Sequence, residues 1–402
     1  MSRSPDIPDP ATAVPSSSRS ALRFVLVIGV ISFFADFTYE GARSVLGQYL
    51  GALGAGAATI SIVTGFGALL GYALRLVSGR EADRTGRFWP ITIFGYFLQL
   101  LAVPALALVG NWQAAAALVF AERSGKATRN PPRDAMLSHA AKQMGGFGWA
   151  FGVQEAVDQA GAMVGPLAIA AVLAFHHSYR FALAALIMPA VISLTLVLIA
   201  RAIYPHPENL EATHHAAHTE VPRHLPRKFW LYMVGAGLVA AGFSDYPLLA
   251  FHFQRLHRLP AGWIPVLYAF AMGVSGAGSL LFGRLFDRYG FRIIIALTVF
   301  SALFAPLVFL GGVPAIIAGV CLWGLGMGVH ESVIPAAVAP MVRSDRRASA
   351  YGIFTAAYGI ASFLGSVAIG LLYDHSLVAA AAFCVVAELA AIPFFLQVLR
   401  LE

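Results

Sequence analysis

Charged residues and cysteines are both scarce in this sequence. Asp, Glu, Lys and Arg make up 12% of its 402 residues, whereas a soluble globular protein carries about 25%. This scarcity excludes a water-soluble enzyme, a nucleic-acid-binding protein and a disordered scaffold, because none of these could shield a chain that is 58% hydrophobic from water. The two cysteines, Cys321 and Cys384, both lie in apolar runs, so they offer neither a disulfide framework nor the spacing of metal ligands.

Apolar runs fill most of the chain. They are about 20 residues long, which is the length of α-helix needed to cross about 30 Å of hydrocarbon, whereas strands of an outer-membrane barrel would alternate over roughly ten residues. The pattern therefore predicts an all-α integral membrane protein with twelve transmembrane helices. We place these helices at about 23–50, 57–78, 88–109, 112–130, 147–175, 179–203, 228–252, 260–282, 291–310, 313–341, 348–373 and 377–399.

One long polar segment, rich in His, Pro and Glu, divides the predicted helices six and six. The predicted organisation is a disordered cytoplasmic tail at 1–20, an N-terminal six-helix bundle at 21–203, a cytoplasmic linker at 204–227 and a C-terminal six-helix bundle at 228–402. Linkers of this composition are usually only solvated, so no metal site is predicted in spite of the histidines.

Basic residues concentrate on one side of the predicted membrane. With both termini in the cytoplasm, the cytoplasmic segments hold 19 of the 27 Lys and Arg residues, whereas the opposite loops hold three, Arg180, Arg255 and Arg258. This positive-inside distribution predicts a multi-pass protein of the cytoplasmic (inner) membrane. It also accounts for the net charge of +7 without nucleic acid. The expected partners are a small-molecule substrate and membrane lipid, and the chain is expected to be a monomer.

The two predicted halves share a pattern that indicates duplication. Five residues after the second helix, namely Gly79, Arg80, Asp83, Arg84 and Gly86, recur 204 residues later as Gly283, Arg284, Asp287, Arg288 and Gly290. A duplicated six-helix unit predicts two pseudo-symmetric bundles around a central site that opens to each side of the membrane in turn, which is the arrangement of alternating-access transporters.

Three sequence runs resemble the major facilitator superfamily. The run GREADRTGR at 79–87 resembles its cytoplasmic loop signature, and GRLFDRYGFR at 283–292 resembles the weaker second copy of that signature. ERSGKATRNPPRDA at 122–135 resembles a fourth-helix signature of a group of bacterial permeases within the superfamily. The resemblance implies the twelve-helix fold of this superfamily and secondary transport.

Loop carboxylates near helix ends can pair with arginine or cap a neighbouring helix. We therefore expect the two loop copies to latch one conformation of the transporter. The residues expected to form this latch are Gly79, Asp83, Arg84, Gly86, Arg87, Asp287 and Arg288.

Charged residues inside apolar helices are candidate functional residues, because each costs about 2.5–3.5 kcal/mol at the bilayer centre. Asp36, Glu40 and Arg43 fall on one stripe of the first helix. The acids expected to carry protons or to form a charge network are Asp36, Glu40, Glu122, Glu155 and Asp158. The residues expected to bind substrate or to pair with these acids are Arg75, Arg123, Lys126, Arg129, Asp245 and Glu331.

Two helices of the first half carry further signals. In the fourth helix, Pro131 and Pro132 predict that the helix ends or kinks, because each removes a backbone donor. In the fifth helix, the run GAMVGP at 161–166 resembles a Gly-x-x-x-Gly-Pro element of the proton-driven exporters of the superfamily. Independently of that resemblance, Gly161 and Gly165, followed by Pro166, predict close helix packing.

The sequence leaves three functions open. The expected one is a proton-coupled exporter (an antiporter) of small organic compounds, which uses the proton gradient and no bound cofactor. The alternative is a symporter or facilitator for an anionic metabolite, because Arg75, Lys126 and Arg129 could bind a carboxylate or phosphate. A more remote alternative is an intramembrane enzyme or receptor. No catalytic motif or appended soluble domain favours it, so no enzymatic activity is expected.

Overall fold

The structure, a computed structural model, describes residues 16–141, 147–206, 225–257, 259–334, 337–338, 341 and 347–401. These residues form helices, short turns and connections, and they contain no β-strand. The first helix begins at Ser16, inside the segment expected to be a disordered tail. Its extra polar turn extends the helix beyond the apolar part of the run. Most of the predicted linker lies outside the described residues.

Twelve helical units are present among the described residues. In the first half they are α1 (Ser16–Ala52), α2 (Ala57–Thr85), α3 (Phe88–Ala105), α4 (Trp112–Ala141), α5 (Phe147–His176) and α6 (Tyr179–Ala185 with Ile187–Ile203). In the second half they are α7 (Arg227–Gly242 with Tyr246–Arg255), α8 (Trp263–Tyr289), α9 (Phe291–Ala302 with Phe304–Leu310), α10 (Val313–Gly328, continued by a π-helical turn at Val329–Val333), α11 (Arg347–His375) and α12 (Leu377–Ala390 with Ile392–Arg400).

Ten of these units contain a described stretch that is long and apolar enough to cross a membrane. The other two, α4 and α8, have 30 and 27 residues, so at about 1.5 Å per residue each is also longer than the hydrocarbon core. α4 falls short on composition because six charged residues lie between Glu122 and Asp134. The predicted all-α membrane fold with twelve helices is confirmed.

The helix contacts follow the duplication seen in the sequence. Within the first half α1 packs on α5, and within the second half α7 packs on α11, its counterpart. Between the halves, α2 packs on α11 and α5 packs on α8. These two interfaces are equivalent, since α2 corresponds to α8 and α5 to α11. The two bundles therefore meet along a pseudo-twofold axis, as the repeat predicted.

Small residues bring α1 and α5 into backbone contact. A Cβ atom added to Gly161 would overlap the carbonyl oxygen of Phe33, and one added to Gly165 would overlap that of Phe37. Glycines at this spacing let two helix backbones approach more closely than any side chain would allow. The tight α1–α5 packing fixes the direction in which the charged stripe of α1 faces.

The two bundles are closed on one side of the molecule, the side of the α1–α2 loop. There Gly47 lies so close to the carbonyl of Pro247 that no Cβ atom would fit between them. The backbone N–H of Ala58 donates a hydrogen bond of 3.1 Å to the carboxylate of Asp374. We call this the closed side, and the side of the α2–α3 loop the open side.

α4 is longer than the predicted span of 112–130, because it does not end at Pro131 and Pro132 but continues to Ala141. Pro131 cannot donate to the carbonyl of Ala127, its partner in an uninterrupted helix. The hydroxyl of Ser78 on α2 donates a hydrogen bond of 3.1 Å to that carbonyl instead. A side chain from another helix thus replaces the missing backbone donor, and the helix carries its charged stripe onward.

We expect Gly165→Ala to destabilise the protein, because the new Cβ would push α1 away from α5. Overpacking of this kind costs about 1–3 kcal/mol. Gly71→Ala is the matched control, since a Cβ at Gly71 of α2 meets nothing within 4 Å and alanine favours the helix. Thermal unfolding of the purified proteins in detergent measures the difference. A Gly165→Ala protein as stable as Gly71→Ala would contradict the close contact.

Candidate functional site

Two adjoining cavities lie between the bundles. The larger, which we call the vestibule, has a volume of about 550 Å³ and extends from Glu40 to Asp134, towards the open side. The smaller, which we call the central cavity, has a volume of about 240 Å³ and is lined by residues of both halves, including Tyr39 and Phe243. Glu40, Lys126 and Glu331 line both cavities. The cavities therefore form a path from the open side to the middle of the molecule.

Two facing helices supply most of the charge around these cavities. On α1, Asp36, Glu40 and Arg43 are spaced by four and three residues, so they lie on one face. α4 carries a matching stripe at spacings of four, three and four, formed by Glu122, Lys126, Arg129 and Arg133. The acids of α1 thereby come opposite the bases of α4.

Asp36 lies between two cations of α4. Its Oδ1 atom is 3.7 Å from Nζ of Lys126 and 3.5 Å from an Nη atom of Arg129. The guanidinium of Arg129 is held from α3, because it donates to Oε1 of Gln99 at 2.5 Å and to the hydroxyl of Tyr96 at 3.1 Å. Only 1% of the Arg129 side chain is exposed. Asp36 thus pairs with Arg129, which is held in place, and with Lys126, which lines both cavities.

A second cluster joins the two bundles beside the closed side. Arg43 of α1 donates a hydrogen bond of 2.6 Å to Oδ1 of Asp245 on α7. A second nitrogen of Arg43 lies 3.6 Å from Oε2 of Glu40. The hydroxyl of Tyr268 on α8 donates a hydrogen bond of 2.5 Å to that same Glu40 oxygen. One acid and one base of α1 are therefore both bonded to the second bundle.

A third cluster lies nearer the open side and stays within the first bundle. Arg133 donates to the carboxylate of Asp134 at 2.8 Å and to the hydroxyl of Ser32 at 3.1 Å. The Nη atom that donates to Ser32 is also 3.9 Å from Asp158 on α5. Gln154 donates to the same Asp158 oxygen at 2.9 Å. This cluster connects α1, α4 and α5 along the wall of the vestibule.

Tyr39 forms an aromatic support for the cations of α4. Nζ of Lys126 lies 3.9 Å from the centre of the Tyr39 ring, and the guanidinium of Arg123 lies 5.1 Å from it. Nε of Arg123 is also 3.6 Å from the buried carboxylate of Glu122. A ring face at these distances attracts a cation, so Tyr39 stabilises two bases between α1 and α4.

The helix prediction missed a break in α7 that positions Asp245. The helix stops at Gly242 and resumes at Tyr246, and the Asp245 carboxylate caps the second segment by accepting from the backbone N–H of Tyr246 at 3.1 Å. The freed carbonyl of Ser244 accepts a hydrogen bond of 2.8 Å from the Trp323 indole. The break turns the Asp245 side chain towards Arg43 of the other bundle.

The second bundle contributes an aromatic wall to the central cavity. His330 and Tyr358 are joined by a hydrogen bond of 2.5 Å between Nδ1 and the hydroxyl. The ring of Phe243 packs over His330 with 4.2 Å between ring centres. Glu331 lies in the π-helical turn of α10 and is exposed to the cavities. Such turns are frequent at functional sites.

The predicted site residues fall into three groups. Those that the structure brings together around the cavities or in the adjoining ion pairs are Asp36, Glu40, Glu122, Asp158, Arg75, Arg123, Lys126, Arg129, Asp245 and Glu331. The side chains of Glu155, Asp83 and Asp287 lie outside the described residues. Of the predicted latch, Gly86 ends α2 in the left-handed region with φ of 65°, whereas Arg84, Arg87 and Arg288 are exposed.

Some residues of the site were not among the predicted ones. The tyrosines Tyr39, Tyr96 and Tyr268 give no signal in a sequence rich in aromatic residues. Gln99, in contrast, is a polar side chain in a strongly apolar helix, and that contrast could have identified it. Arg43 was visible on the acidic stripe of α1, but its partner Asp245 is 202 residues away.

Known proteins similar to this chain include membrane transporters and uncharacterised proteins. Residues 26–366 and 246–401 match the family model described as Major Facilitator Superfamily. The uncharacterized protein Rv2265 of Mycobacterium tuberculosis is 42% identical over 362 residues, which cover 89% of this chain and 88% of that protein. The uncharacterized MFS-type transporter MJ1317 of Methanocaldococcus jannaschii is 26% identical over 367 residues, covering 90% and 91%.

Solved transporter structures share the fold at low identity. The nucleoside transporter NupG superposes with a TM-score of 0.71 at 14% identity, covering 94% of this chain and 98% of NupG. A bacterial homolog of the human lysosomal transporter Spinster, in an inward-facing and unoccupied conformation, superposes with a TM-score of 0.67 at 13% identity, covering 96% of each chain. At such identities these structures establish the architecture alone.

We predict that Asp245→Asn loosens the closed side, because Arg43 then loses its anionic partner in the second bundle. Ser61 is buried on the closed side against Gly370, so a cysteine at this position reports opening. In a protein whose Cys321 and Cys384 are replaced by alanine, labelling of Ser61→Cys by a membrane-impermeant maleimide should rise several-fold on adding Asp245→Asn.

The matched control for that experiment is Asp134→Asn. It also neutralises an aspartate 2.8 Å from an arginine, but this pair lies within one helix and does not connect the bundles. Labelling that rises equally in both variants, or in neither, would show that the Arg43 to Asp245 bond does not hold the closed side together.

Proposed function

Because the chain belongs to the major facilitator superfamily, we propose that it is a proton-coupled secondary transporter of a small organic solute, with both termini in the cytoplasm and with Asp36 as the proton carrier. The superfamily resemblance seen in the sequence is confirmed. Membership of this superfamily supports membrane transport of a small molecule rather than enzymatic turnover. Proton coupling, direction and substrate are our proposals.

The observation that carries the coupling proposal is the position of Asp36 between Lys126 and Arg129. An ionised Asp36 attracts both cations and offsets one of their two positive charges, whereas a protonated Asp36 no longer holds either cation. Lys126 lines both cavities, so a proton on Asp36 changes the charge that a solute meets there. The other charged groups that line the vestibule are Glu40 on α1, Arg133 and Asp134 on α4, Asp158 on α5 and Glu331 on α10.

Two directions of coupling are supported by different observations. Export is favoured by the Gly-x-x-x-Gly-Pro element of α5, which packs against α1, and by a vestibule on the side that we assign to the cytoplasm. Symport with an anion is favoured by Lys126, because protonation of Asp36 would leave that cation free to attract an anion. In both cases the proton and the solute communicate through the same pair of residues.

We predict that Asp36→Asn abolishes gradient-driven transport at an unchanged amount of protein in the membrane. Asparagine has nearly the volume of aspartate but cannot take up and release the proton. Compounds whose accumulation depends on expression of the wild-type protein, and on the proton gradient as shown by an uncoupler, define the assay.

Glu81→Gln is the control for that prediction, because it neutralises an exposed acid of α2 outside both cavities. It should retain uncoupler-sensitive transport. If Asp36→Asn also retains it in full, Asp36 does not carry the coupling proton.

A further inference from the structure

Four bases line the central cavity, and three of them already have an acidic partner. The four are Arg43, Arg75, Arg123 and Lys126. Ion pairs join Arg43 to Asp245, Arg123 to Glu122 and Lys126 to Asp36. Arg75 forms no ion pair with any residue that the structure describes, including Glu331 across the same cavity. Its nearest aromatic neighbour is Tyr72, whose ring centre lies 5.9 Å from the guanidinium.

Arg75 is placed to meet a solute. It lies on α2, its side chain is exposed, and it lines both the central cavity and a smaller recess between α2 and α4. A guanidinium within the membrane is costly unless an anion neutralises it. Its planar fork of donors fits a carboxylate in a bidentate arrangement. Among the bases that line the cavity, Arg75 is thus the one without an acidic partner among the described residues, although Glu40, Asp245 and Glu331 line the same cavity.

Aromatic side chains form part of the wall of the central cavity. Tyr72 lies on the same helix as Arg75, and Phe243, His330 and Tyr358 face it from the second bundle. The hydrogen bond between His330 and Tyr358 and the packing of Phe243 on His330 hold these three side chains in place. Flat, fixed rings of this kind pack well against an aromatic ring. The volume of about 240 Å³ is below the roughly 300–1,000 Å³ of pockets for drug-sized ligands, so the occupant is small.

We propose that the central cavity binds a small aromatic monoanion, with its carboxylate on Arg75 and its ring against Tyr72, Phe243 and Tyr358. This inference rests on the proposed transport function, since it names the solute class of the same site. It requires neither direction of coupling. A single negative charge is specified because Arg43, Arg123 and Lys126 each have an acidic partner, whereas Arg75 has none among the described residues.

The test is direct binding to the purified full-length protein in detergent, without any gradient. The probes are benzoate, its neutral isostere benzamide, and benzylamine, measured by calorimetry at one pH. We expect benzoate to bind at least tenfold more tightly than benzamide, and benzylamine not to bind. Arg75→Gln should weaken benzoate binding about ten- to a hundredfold, the usual effect of losing a charged hydrogen bond, and should leave benzamide binding unchanged.

Matched variants separate recognition from folding. Arg75→Lys keeps the charge but not the planar fork, so it should bind benzoate with intermediate affinity. Arg201→Gln makes the same change at an exposed arginine at the end of α6, and it should bind like the wild type. Elution of each variant as a single species in size-exclusion chromatography shows that it is folded.

Several outcomes would overturn the inference: equal affinity for benzoate and benzamide, unchanged benzoate affinity in Arg75→Gln, or no binding of benzoate at millimolar concentration. Failure of the proposed function is distinguishable from these. Asp36→Asn should still bind benzoate, because Arg75 rather than Asp36 holds the carboxylate. Intact benzoate binding without gradient-driven transport would refute the coupling proposal and leave the solute class standing.

Discussion

The structure depends on neutralising charge inside a membrane. Every ionic side chain between the bundles costs free energy unless an opposite charge lies beside it, and the stripes of α1 and α4 meet that need by facing each other. This requires α1 to stay in one rotational position, which its contact with Gly161 and Gly165 of α5 fixes. It also requires α4 to remain helical past two prolines. Ser78 supports this, because its hydroxyl donates to the α4 carbonyl that Pro131 cannot reach. Packing and electrostatics thus support the same arrangement.

The ion pairs divide into those that hold one bundle together and those that join two. Arg129 and Arg133 are bonded to residues of the first bundle alone among the described residues, so they can persist when the bundles move. Arg43 bonds Asp245 across the bundles, and Glu40 bonds Tyr268, so these contacts must change when the closed side opens. Lys126 lies between the two sets, and under the proposed coupling it is the cation whose charge links protonation of Asp36 to the solute.

Spacing in the sequence predicted which charges share a helix face, and length predicted the twelve helices. Neither spacing nor length could predict which charged residue on one helix pairs with which residue on another. Pairs such as Arg43 with Asp245 depend on how the two halves of the chain dock. The break in α7 and the continuation of α4 past residue 130 were missed for the same reason. α7 breaks because Trp323 and the Asp245 cap satisfy its freed backbone groups, and α4 continues because Ser78 does. In each case a tertiary hydrogen bond overrides the local preference, and local rules do not contain it.

The proposed solute class bears on the direction of coupling, because it decides whether the proton and the solute strengthen or weaken each other's binding. If protonation of Asp36 releases Lys126 towards a cavity that holds a carboxylate, proton and anion stabilise each other's binding, and by reciprocity each raises the affinity for the other. They would then cross the membrane together as symport. Export by exchange requires instead that binding of the proton weakens binding of the solute. For that to happen, the released Lys126 would have to turn away from the cavity. The Tyr39 ring, 3.9 Å from the Lys126 ammonium, attracts that ammonium towards the central cavity. On this geometry an aromatic monoanion favours symport, whereas a neutral or cationic solute would restore the case for export.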